Sequence, residues 1–115
     1  MIAVIFEVWP AEGHTGTYLD TAALLKEELV GIDGFLSIER FESLATPGKL
    51  LSLSFWRDEA SVREWRNRPA HRAAQSLGRG GVFQNYRLRI ASVIRDYGLA
   101  GRDQAPEDSR AVHVE

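Results

Sequence analysis

The chain has 115 residues, 44% of them apolar, with 14 Lys and Arg against 16 Asp and Glu and no cysteine. This length suits one domain with one core, the formal net charge of −2 offers no footprint for nucleic acid or an anionic membrane, and disulfides, thiolate metal sites and cysteine nucleophiles are excluded. The apolar start MIAVIFEVWP lacks a basic flank and a small-residue cleavage site, and Glu7 interrupts it, so it reads as a strand of a soluble cytoplasmic protein.

In residues 2–9, Ile2, Val4, Phe6 and Val8 alternate with Ala3, Ile5, Glu7 and Trp9, which predicts a strand covered on both faces. Pro10 and Gly13 end it, and Thr15 or Thr17 is placed to cap a helix whose stripe Tyr18, Ala22, Leu25, Leu29 runs to about Val30. Gly31-Ile32-Asp33-Gly34 stops that helix with turn chemistry. A strand over 35–43, with Leu36 and Ile38 on one face and Phe35 and Phe41 on the other, passes through Thr46-Pro47-Gly48-Lys49 into a strand over 50–56. Asp58 is the predicted N-cap of a helical region reaching Leu77 and broken at Pro69. Gly78, Gly80 and Gly81 form a loop, and 82–97 reads as one long strand with Tyr86, Leu88 and Ile90 opposite Arg87, Arg89 and Arg95.

The order β-α-β-β-α-β predicts an α+β, ferredoxin-like fold, a four-stranded antiparallel sheet with helices on one face. Ile5, Trp9 and Phe41 populate the other face, which is expected to pack on a second copy as a homodimer. The domain occupies residues 1–98; residues 99–115 are a polar arm or disordered tail with Pro106 and the run Ala111-Val112-His113-Val114.

Chemistry is expected between Leu50 and Arg79. His71 and Gln75 lie four apart, one above the other on a helix, and can address one small polar group. With an ordinary pKa of about 6.5, His71 is the candidate general base, against the alternative of a half-buried imidazole bonded to a backbone carbonyl. Trp65 is expected to be a core residue and a pocket wall at once, and is grouped with His71 as a candidate catalytic residue. Tyr86 can offer a phenolic hydroxyl to the pocket. Arg87 can bind a carboxylate or enolate, or it can pair, like Arg89 and Arg95, with Glu7 and Glu39 across the dimer. His14 and His113 have no ligand partners at metal-binding spacing.

The FEVWP strand, the GIDGF turn, SFWRDEASVREWRN, the HRAAQ turn and the closing YRLRIASVIRDY together resemble the antibiotic biosynthesis monooxygenase family over residues 1–98. The resemblance implies a dimeric α+β barrel, two sheets face to face, with a pocket in each subunit between sheet and helices. It implies oxidation of a small aromatic or phenolic substrate by dioxygen without a cofactor. Haem-degrading members carry an axial histidine ten positions after a tryptophan. Trp65 matches that tryptophan, but the tenth position onward is Gln75, and Phe6 and Glu7 stand where those members have an asparagine. Haem is therefore disfavoured, and no metal is expected. A non-enzymatic ligand-binding or stress-related dimer, and a haem-degrading monooxygenase, are the alternative functions.

Overall fold

The computed structural model describes residues 1–112. Its elements are β1 (Ile2–Pro10), α1 (Thr15–Leu29), β2 (Phe35–Glu42), β3 (Leu50–Trp56), α2 (Glu59–Arg66), α3 (Pro69–Leu77), β4 (Phe83–Ser92) and α4 (Glu107–Val112). The four strands form one sheet in the order β2-β3-β1-β4, and β1–β3, β1–β4 and β2–β3 all pair antiparallel. This is the ferredoxin-like arrangement. Among the described residues, no helix is long and apolar enough to cross a membrane.

The even-numbered residues of β1 face the helices and supply two separate core clusters. Leu29, Ile32, Trp56, Val62 and Trp65 form one, with Ile2 and Val4 against it; Val8, Tyr18 and Val82 form the other, with Phe6 and Phe83 against it. Burying these side chains is the main driving force, at about 25 cal/mol per Å² of apolar surface. On the opposite face, Glu7 lies between Lys49 and Arg89, at 2.5 and 2.6 Å. Lys49 also sits 4.8 Å over the ring of Trp9. The hydrogen bond from Lys49, assisted by both cations, holds the Glu7 carboxyl below its usual range despite opposing desolvation. Glu7 is thus paired within its own chain, where the sequence pointed to pairing across a dimer.

Several predicted boundaries hold and others move. The Thr46–Lys49 turn is closed by Lys49 N–H donating to the Thr46 carbonyl at 3.2 Å, with Gly48 at φ +81° as a Pro-Gly turn requires. Neither Thr15 nor Thr17 caps α1; His14 precedes the helix and makes no side-chain cap bond. In β2 a register irregularity between Phe35 and Ser37 breaks the predicted alternation, so Phe35 and Ile38 both pack on the core while Leu36 is exposed. Residues 78–82 form one wide helical turn with Gly81 at φ +119°, and β4 ends at Ser92, five residues short of the predicted strand. In the tail, the Gln104 side chain accepts from the Asp96 N–H at 2.9 Å, Ala105 is buried and 107–112 is helical. His113 and Val114 lie outside the described residues.

Candidate functional site

The site is built on a helix pair whose first member is fixed at its N-terminus. The Asp58 carboxylate accepts from the Ser61 N–H at 2.9 Å and from the Ser61 hydroxyl at 2.7 Å. Those two bonds and Arg57 push the Asp58 carboxyl down to about 2. Arg57 bridges Asp58 at 3.0 Å and grips both oxygens of Asp33 at 3.1 Å, while its N–H donates to the Gly34 carbonyl at 2.7 Å. The turn after α1 and the start of α2 are therefore one clasp, and Gly34, at φ +92°, lies so close that an added Cβ would overlap the Ser61 side chain. Ser61, Val62 and Trp65 are buried as a result.

Asn67 ends α2, its side chain donating to the Arg63 carbonyl at 2.9 Å. Arg68 is extended, and Pro69 opens α3, where its missing N–H costs nothing. Arg72 then ties the two helices together, donating to Asn67 Oδ1 at 2.6 Å and to Gln75 Oε1 at 3.1 Å. This geometry turns His71 inward. Its ring stands edge-on to Trp65, centroids 4.7 Å apart at 83°.

His71 Nδ1 is enclosed and has no hydrogen-bond partner. Burial disfavours the imidazolium, and with the nearby Arg72 charge it lowers the pKa to about 4. The ring is therefore neutral at physiological pH, and among the described residues Nδ1 has no backbone or side-chain donor.

Between sheet and helices lies a cavity of about 410 Å³, within the range of small-molecule sites. Trp65, His71, Gln75 and Tyr86 all line it. Gln75 has its carbonyl oxygen engaged by Arg72, so the group it can offer a ligand is its amide donor. Tyr86 packs against Phe6 and Phe83, centroids 5.7 and 6.1 Å away. Arg87 is not in the wall: it alternates with Tyr86 and Leu88, opposes Glu7 in the ladder, and belongs to the other sheet face.

Residues that the sequence reading passed over make the hollow. On β3 it is Ser52, Ser54 and Trp56 that face the helices, whereas Leu51, Leu53 and Phe55 face away. Two small side chains on the inner face leave space that leucines would fill. Ser54 Oγ accepts from Trp56 Nε1 at 2.9 Å. On β2, Arg40 lies in phase with Ile38 and also lines the cavity, and that phase was the available signal. Among the described residues no group of three or more His, Asp or Glu could hold a metal ion.

The architecture is thus that of a ferredoxin-like α+β domain with a cavity of small-molecule size between sheet and helices. Its sequence matches the antibiotic biosynthesis monooxygenase family over residues 1–77, and the chain belongs to that family. A protein of Pyricularia oryzae named jasmonate monooxygenase ABM is 50% identical over 93 residues, which are 81% of this chain and 43% of that protein. The chain therefore spans less than half the length of that relative. The uncharacterized protein YqjZ of Bacillus subtilis is 31% identical over 93 residues, 81% of this chain and 79% of its own. Of solved structures, Rv0793 from Mycobacterium tuberculosis aligns with a TM-score of 0.75 over 84% of this chain and 98% of its own, at 15% identity. A structure described as an antibiotic biosynthesis monooxygenase gives 0.70 over 82% and 99%, at 16% identity. At such identities the structures speak for the fold alone.

Proposed function

We propose that the chain is a monooxygenase that oxidises a small, largely apolar substrate, aromatic or otherwise electron-rich, with dioxygen in the cavity between sheet and helices. The observation that carries this reading is a neutral His71 held edge-on to Trp65 in the lining of a largely apolar hollow. Family membership and the relative named as a jasmonate monooxygenase support oxygenation as the chemistry.

In this reading the substrate supplies the electrons, so no further reductant is needed. An activated CH₂ loses two hydrogens and gains one oxygen atom, and the second oxygen leaves as water. His71 accepts the proton from an acidic C–H or O–H of the substrate. Although burial opposes the imidazolium, the anion formed beside it supplies the opposite charge that favours it. The substrate anion then passes one electron to dioxygen, and the apolar wall keeps water from the radical pair until they combine. Trp65 holds the imidazole edge-on, Gln75 and Tyr86 orient the substrate, and the open sheet face carrying Ile5, Trp9 and Phe41 pairs with a second copy.

Oxygen uptake by the purified protein against a panel of anthrones and quinols tests the reading. One labelled oxygen from ¹⁸O₂ should enter each product molecule, and His71→Ala should lower turnover by about 10²-fold or more. Two labelled atoms in the product, or no uptake on any member of the panel, would overturn the assignment.

A further inference from the structure

The charge around the cavity is one-sided. Arg40 from β2, Arg66 from α2, Arg72 from α3 and Arg79 from the following turn line it, and among the described residues no aspartate or glutamate does. The chain as a whole carries two more acidic than basic residues, 16 against 14, so average composition does not account for this. Among the described residues none of the four is in an ion pair, whereas Lys49, Arg57, Arg68 and Arg89 all are. The oxygens that hold Arg72, those of Asn67 and Gln75, are neutral and leave its charge uncompensated. Arg40 Nε is enclosed without a hydrogen-bond partner, which is costly for a donor on a charged group.

The sheet floor is graded in the same direction. The antiparallel register sets Leu88, Phe6, Ser52 and Arg40 side by side across β4, β1, β3 and β2, and all four line the cavity. Along this row the surface changes from aliphatic to aromatic, then to hydroxyl, then to guanidinium. It does so across three strand spacings, about 14 Å.

We infer that the ligand is an amphiphilic carboxylate, its apolar body over Leu88 and Phe6 and its carboxylate at Arg40 beside Ser52. The inference rests on the cavity being the substrate site and adds the substrate class. A carboxylate gives the Arg40 guanidinium the anionic partner it lacks among the described residues, and brings a negative charge to a wall to which they contribute none. A neutral ligand of the same shape does neither.

Calorimetric titration of the full chain at low ionic strength with decanoate, decan-1-ol, methyl decanoate and decyl phosphate tests this. Decanoate should bind at least about tenfold more tightly than the alcohol or the ester, and no less tightly than the phosphate. Arg40→Gln should abolish the preference and leave decan-1-ol binding unchanged; Arg40→Lys should restore part of it. Equal binding of decanoate, alcohol and ester would overturn the inference. So would tighter binding of decyl phosphate, or an Arg40→Gln protein that weakens on all four ligands alike. The comparison on the unaltered chain needs no variant, so it decides the matter even if Arg40→Gln fails to fold. Turnover is not read in these titrations: loss of the carboxylate preference leaves oxygenation standing, and absence of oxygen uptake leaves the binding preference standing.

Discussion

The two helices that follow β3 are nearly equal in length, eight residues in α2 and nine in α3, and opposite in character. α2 is capped by Asp58, clasped through Arg57 to the preceding turn, and buries Ser61, Val62 and Trp65. α3 has no side-chain cap and no fully buried residue, and it presents His71 and Gln75 to the cavity. α2 thus holds the layer in place while reaching the cavity with Trp65 and Arg66, and α3 reaches it without burying a residue fully.

The contrast is sharpened most by Trp65→Ala, which should cost about 3–5 kcal/mol in denaturant unfolding, a large share of the roughly 5–15 kcal/mol of a typical domain. Gly34→Ala follows: it places a side chain at φ +92° and against Ser61, and should cost about 2 kcal/mol or more by the same measurement. Asp58→Ala removes the cap and one arm of the clasp, and should lower the Tm by less than either. The smallest change expected is that of His71→Ala, under about 1 kcal/mol at neutral pH, although turnover falls. A loss as large as that of Trp65→Ala would erase the division between the helices.

Acid sharpens the same contrast. The unfolded chain takes up a proton on His71 near pH 6.5, and the folded chain does so only near about 4. The unfolded state therefore binds more protons between these values, and stability falls as pH drops from about 6.5 towards 4. His71→Ala should lose that part of the slope, so that melting curves at pH 5 favour the variant relative to its parent more than those at pH 7 do. Asp58 works lower: its stabilisation is present above about 3.8 and is lost towards about 2, outside this window.

What the sequence made legible was local. Asp58 before EASV, Pro69 at a helix start and Pro47-Gly48 between two strands act through the backbone within a few residues of themselves, and each does in the fold what its chemistry suggests. What escaped depends on register and burial. The inward side of β3 carries serines because Ser52 lies opposite Phe6, and a run reading LLSLSFW gives no sign that its leucines face away. Arg87 shows the same dependence: it alternates with Tyr86, so the register that brings Tyr86 to the cavity puts Arg87 opposite Glu7 on the other face. The lowered pKa of His71 comes from desolvation by the surrounding layer, which no spacing reveals. The partner of Glu7 needed the register to put Arg89 and Lys49 within reach.

The row from Leu88 to Arg40 crosses the strands instead of following one. Each chemistry along it therefore sits on its own length of backbone, and one substitution can alter it while the alternation of every strand stays intact. Exchanging Phe6 for a polar residue, or Ser52 for an aliphatic one, would shift the frontier between oil and charge by one strand, about 4.8 Å. Selectivity in such a hollow is adjustable in discrete notches, and a lineage could retune it without redesigning the sheet.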